Sequence, residues 1–144
     1  YQDIAPERVP KVHPAPGVEA RVLAGELAGA VGPVEGVVTE PVYLDLGLQP
    51  GAEFELPLPA GHHGFAYVFE GGPVEVGGQA LERSELGVLS EGERLRLKGG
   101  AAASRLIVVV GKPIKEQVTR YGPFVMNTPE QIQEAVRDFR AGKF

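Results

Sequence analysis

The chain contains no cysteine. That absence removes disulfides, thiol nucleophiles and zinc–thiolate sites together, and it fits a cytoplasmic protein. There is no run of about 18 apolar residues, so no segment reads as a membrane span. No charged-then-apolar leader opens the chain at Tyr1, which leaves secretion without support. Basic charge is scarce: 14 Lys and Arg stand against 19 Asp and Glu, a net charge of −5, with no basic block. Binding to nucleic acid draws on neutralised phosphates, so direct nucleic-acid binding is not expected. The Gly-Gly pairs lie outside any G-x-x-x-x-G-K-[ST] or G-x-G-x-x-G frame, which excludes a phosphate cradle. Ser84, Ser90 and Ser104 lie outside any G-x-S-x-G frame, which excludes a nucleophile elbow.

Glycine and proline are abundant, at 20 and 13 of 144 residues. So many breakers suit an all-β fold with frequent turns in one domain, and the apolar content is too high for disorder. Val18 to Ala24 alternates apolar with polar residues, as a half-buried strand does. Val42, Leu44, Leu46 and Leu48 do the same, and Phe54, Leu56 and Leu58 follow beyond Pro50-Gly51. Phe65 to Glu70 is the next strand, with Phe65, Tyr67 and Phe69 on one face. Val74–Val76 and Gln79–Leu81 flank Gly77-Gly78, a tight-hairpin signal. Leu86–Leu89, Leu95–Leu97 and Leu106–Val110 follow at intervals of about ten residues, the spacing of an antiparallel sandwich or barrel. Tyr1 to Gly17 is polar and Pro-rich, and reads as a lead-in or linker.

The end of the chain is different. Thr128 is an N-cap, Pro129 suits the first helical position, and Gln131 completes a capping box. Ile132, Ala135, Val136 and Phe139 recur at i, i+3, i+4 and i+7, which predicts an amphipathic helix over about 129–141. Gly142 ends it, with Arg140 and Lys143 where the helix dipole favours positive charge.

The block Arg120-Tyr121-Gly122-Pro123-Phe124-Val125-Met126-Asn127-Thr128 resembles the C-terminal stretch of the pirin family. Similarity extends to Ala24-Gly25-Glu26, Gly32-Pro33, Tyr43-Leu44-Asp45 and Leu56-Pro57-Leu58-Pro59-Ala60-Gly61-His62. The resemblance implies an all-β, antiparallel cupin (RmlC-like jelly-roll) β-barrel with one C-terminal α-helix. Pirins carry two such barrels, with iron held by three His and a Glu in the N-terminal one, and this chain is similar to the second barrel. It implies a linker over 1–17, a barrel over 18–119, and a family-specific segment over 120–144.

A cupin holds metal through G-x5-H-x-H-x3–4-E-x6-G and G-x5-P-x-G-x2-H-x3-N. On this chain the four ligand positions fall on His63, Phe65 and Glu70, and then on Ala103, with the closing Asn at Ile107. Only His63 and Glu70 keep a ligand type, too few to hold a divalent ion against water. The expectation is therefore no metal site, with a weak residual one on these two residues as the alternative. Adjacent strand residues point to opposite faces, so His62 and His63 cannot both enter one barrel. Phe65, Ala103 and Ile107 are expected to turn the site into packed core, with Phe65 and Tyr67 filling the interior. His62 and His63 are expected at a turn, one solvated and one hydrogen-bonded, and His13 on the surface.

Glu53 and Glu55 share a solvent face and lack a reason for a raised pKa, which argues against an acid/base pair. Tyr121, Phe124 and Val125 are expected to pack back across the barrel while Arg120 pairs with an acid. The resemblance implies no catalytic residue and no cofactor in this chain. It implies instead a metal-free barrel supporting an iron-binding partner barrel, in a parent with quercetin 2,3-dioxygenase-like activity. A second expectation is a non-enzymatic binding or regulatory module, such as a transcription cofactor or enzyme partner, self-associating through an open docking face. A third is a stand-alone isomerase or small-ligand binder. Tyr1-Gln2-Asp3-Ile4 resembles the family's crossing between barrels, so the chain is expected to be a fragment.

Overall fold

Alternation of apolar and polar side chains becomes sheet over nearly half of the chain. The computed structural model describes residues 3–143; Phe144 and the first two residues of the Tyr1–Ile4 segment lie outside the described residues. The chain divides into two compact units, Tyr1–Pro113 and Ile114–Phe144.

In the first unit a short 3-10 turn, Pro6–Arg8, leads into β1 (Lys11–Ala15) and β2 (Val18–Ala24). The Gly- and small-residue-rich stretch that follows forms only two-residue strands, β3 (Glu26–Leu27) and β4 (Ala30–Val31). Then come β5 (Val42–Leu48), β6 (Glu53–Pro57), β7 (His63–Glu70) and β8 (Val74–Val76). The last four are β9 (Gln79–Leu81), β10 (Leu86–Val88), β11 (Arg94–Gly99) and β12 (Ser104–Gly111).

These build a six-stranded sheet, β1-β2-β5-β12-β7-β10, and a four-stranded sheet, β6-β11-β8-β9. Their main ladders are antiparallel. Each sheet keeps two edges, so the cupin barrel is an open pair of sheets rather than a closed ring.

One core lies between them. Leu44, Leu46, Leu106 and Val108 from the large sheet are fully buried with Val74 and Leu97 from the small one. Each such side chain contributes roughly 1.5–3 kcal/mol relative to exposure. Gly77 and Gly78 take positive φ of 59° and 87°, the backbone that a tight β8–β9 turn requires.

In the second unit β13 (Thr119–Tyr121) and β14 (Phe124–Met126) form a hairpin, followed by α1 (Pro129–Arg140). Thr128 accepts from the Gln131 amide, and the Gln131 side chain returns to the Thr128 amide, completing the capping box. Ile132 and Ala135 are buried, and Phe139 meets Phe124 edge-on with ring centroids 5.9 Å apart. No helix among the described residues is long and apolar enough to cross a membrane.

Candidate functional site

The phase of β7 decides what a cupin interior can offer here. Ala66 and Val68 point inward and are fully buried, whereas Phe65, Tyr67 and Phe69 occupy the outer face and are only half-buried. The expectation that Phe65 and Tyr67 fill the interior is therefore overturned. Both rows of β7 are apolar, and the smaller row fits against the large aliphatics of the facing strands. Ile107 is half-buried on the outer face opposite Tyr67, and Ala103 is exposed, so neither joins the core. The interior is closed by Leu44, Leu46, Leu56, Leu97, Leu106 and Val108 instead.

His63 and Glu70 stand at opposite ends of β7. Seven residues of strand separate them by about 23 Å at about 3.3 Å per residue. His63 Nε2 lies 3.7 Å from Glu91, and Glu70 lies 3.9 Å from Arg105, all on exposed or half-exposed side chains. The structure does not bring the two together.

His62 shares the inner phase and is 7% exposed. Its Nε2 lies 2.9 Å from the Glu40 carbonyl, while Nδ1 is 3.5 Å from the Ala60 carbonyl. It borders a cleft of about 580 Å³ at one end of the sandwich, walled by Val31, Val34, Val37, Pro41 and Leu58. A hydrogen bond from Lys112 and its charge hold the Glu40 carboxyl below the usual glutamate range. His13 is exposed on β1.

One polar cluster escapes the sequence reading. On the outer face of the large sheet Asp45 receives Arg105 at 2.5 Å and lies 4.0 Å from Arg21. Arg105 also covers the Phe69 ring at 4.9 Å. The register explains the meeting, since Arg21 and Ile107 both lie opposite Asp45 from the two neighbouring strands. Arg21 Nε is buried without a hydrogen-bond partner among the described residues. A cleft of about 540 Å³ opens beside the cluster. The available signal was a lone Asp in an otherwise apolar strand; its partners lie 24 and 60 residues away.

Comparison with known proteins places this geometry. The family model described as the pirin C-terminal cupin domain matches residues 43–144. The chain belongs to the pirin family. It is 43% identical to a Pseudomonas aeruginosa protein named "Putative quercetin 2,3-dioxygenase", over 99% of this chain and 52% of that one. Human pirin is 36% identical over 99% of this chain and 50% of its own length. The solved structure of quercetin 2,3-dioxygenase from Acinetobacter baumannii superposes with a TM-score of 0.89 at 35% identity. That match covers all of this chain and 50% of the other. The chain thus spans about half the length of the relatives it matches.

The donors of this pirin cupin do not fit an iron centre. Among the described residues no three His, Asp or Glu side chains converge on a point. The other candidates are structural. Glu53 and Glu55 pair across strands with Lys98 and Arg94, each at 2.7 Å. Ser104 is buried, accepting from the Gly72 amide and donating to the Ala102 carbonyl, which leaves it no nucleophilic role. The pirin segment from Arg120 lies in the second unit. Arg120 has no acidic partner among the described residues, and Tyr121 and Val125 are 67% and 57% exposed. The segment folds on itself as the β13–β14 hairpin, and Phe124 meets Phe139 of α1.

Proposed function

We propose that this chain is the metal-free cupin of a two-cupin protein and that it supports a second cupin that holds iron. The whole protein would then carry out a quercetin 2,3-dioxygenase-like oxidation, with the chemistry in the other half. The observation that carries the reading is the filled interior. Ala66 and Val68 line it where donors would be needed, and His63 and Glu70 lie at opposite ends of one strand. The share of the relatives' length supports a second half. The half-buried outer row Phe65, Tyr67, Ile107 and Val109, continued by exposed Leu86 and Val88, is the surface assigned to it. The lack of cysteine favours a cytoplasmic setting.

The test is metal analysis and quercetin turnover on this chain and on a longer protein with both halves. Sub-stoichiometric iron and no turnover are expected from this chain, with both present in the longer protein. A full equivalent of iron, or turnover by this chain alone, would overturn the reading.

A second reading is favoured by Val88, 82% exposed on edge strand β10. In it the same face binds a protein partner, as a transcription cofactor or enzyme partner would, or a second copy of the chain. Turnover absent from the longer protein as well, together with concentration-dependent self-association, would select it.

A further inference from the structure

The second unit holds a groove that the proposed cupin role does not use. It lies between β13 and α1, has a volume of about 510 Å³, and is bordered by no residue of β14. Its floor is apolar: Ile132 is buried, Val136 half-buried, and Tyr121 stands exposed beside them. Arg120 from β13 and Arg137 and Arg140 from the last turns of α1 complete the lining. Ile132, Val136 and Arg140 follow at i, i+4 and i+8, so apolar floor and charge share one helix face.

None of these three guanidinium groups has a hydrogen-bond or ion-pair partner among the described residues, while Lys143 is held by Asp138 at 2.7 Å. The chain as a whole carries −5, yet here three cations without a partner among the described residues gather on one groove. Among the described residues β13 pairs with β14 alone, so its second edge carries no strand there.

We propose that this groove docks an extended acidic segment of another protein, with apolar side chains on Ile132 and Val136 and carboxylates on the three arginines. Guanidinium forks match carboxylates bidentately, which a point charge does not. An open strand edge beside an apolar floor is the arrangement that accepts an added strand.

The probe is a short fluorescein-labelled peptide alternating Asp or Glu with Leu, read by fluorescence anisotropy against this chain. Its Asn/Gln counterpart is the control. Saturable binding that weakens with salt is expected, with a loss of about tenfold or more for the neutral peptide and for Arg137→Gln/Arg140→Gln. Arg83→Gln, an exposed arginine of the first unit, is expected to leave binding unchanged. No binding, equal binding of the neutral peptide, or equal loss with Arg83→Gln would overturn the proposal. Two other occupants are separated by two further measurements. Self-association abolished by Arg137→Glu/Arg140→Glu would assign the groove to a second copy. Peptide binding lost in a longer protein with both halves would assign it to that protein's own chain. Either result overturns the partner proposed.

Discussion

His62 Nε2 lies 2.9 Å from the carbonyl oxygen of Glu40, 22 residues earlier in the chain. A carbonyl only accepts, so Nε2 is the donor in this contact. Glu40 takes a positive φ of 45°, and its carboxylate is held by Lys112 at 2.5 Å. The Lys112 amide in turn donates to Thr39 at 2.7 Å, so one loop is tied from both sides. His62→Ala removes the inner tie and leaves a part-buried carbonyl unpaired. A loss of about 1–3 kcal/mol in urea unfolding is expected, with faster hydrogen exchange at the Lys112 amide. An unchanged midpoint and exchange rate would show that the bond carries no stability.

Asp45 is the anion between two guanidinium groups and is only 16% exposed in its side chain. Asp45→Asn removes the carboxylate between Arg21 and Arg105 and leaves only the exposed Glu70 contact to Arg105. The expected cost is about 1–3 kcal/mol. Glu70→Gln, which removes an exposed contact at 3.9 Å, is expected to cost less than about 1 kcal/mol. Equal costs for the two would mean that Asp45 is not the centre of the cluster.

Gly64 of β7 lies opposite Val110 of β12 with no space for a side chain. A β-carbon there would lie 1.9 Å from the Val109 carbonyl oxygen and 2.7 Å from the Val110 α-carbon. Gly64→Ala must push the two strands apart, at a cost of about 1–3 kcal/mol. Gly47→Ala, whose β-carbon would approach nothing nearer than 4.0 Å, is the matched control and is expected within about 0.5 kcal/mol. Denaturant midpoints compare the pair directly.

The Glu53–Lys98 pair sets a pH dependence of definite sign. Hydrogen bonding and charge from Lys98 hold the Glu53 carboxyl below the usual range, and Glu53 raises Lys98 in return. A lowered carboxyl contributes stability above its unfolded value and loses it as pH falls through the folded one. A raised ammonium contributes below its unfolded value and loses it as pH rises through the folded one. The contribution is therefore fully present at neutral pH. Both groups are exposed, so salt screens it. An NMR titration should find Glu53 below the ordinary glutamate range and returned to it by Lys98→Met. A midpoint that ignores Lys98→Met would refute the pairing.

The strands were legible where only one face is apolar. Val18–Ala24 and Val42–Leu48 alternate cleanly, and both bury the residues that their pattern marks. β7 was harder because both rows are apolar. Phe65, Tyr67 and Phe69 are the bulkier row, yet Ala66 and Val68 face the core. Alternation locates such a strand but does not tell which row is inside, and the ligand frame drawn on His63 slipped with it. The Arg21–Asp45–Arg105 cluster was illegible for another reason. Its members come from three strands and meet only through register, which single-strand patterns do not encode. The α1 cap was readable because every participant lies within four residues.

The close passage at Gly64 also bears on where a metal donor could be introduced along β7. His62 is the one imidazole in the inner phase, and a second donor in the nearest inward position of β7 would have to replace Gly64. That is the place where the β12 backbone leaves no room for even a methyl group. Donors placed at 63 and 65 would decorate the outside of the sheet. Rebuilding a metal centre on this scaffold would therefore start from Ala66 and Val68, the inward positions of β7 that already carry a β-carbon, and not from Gly64.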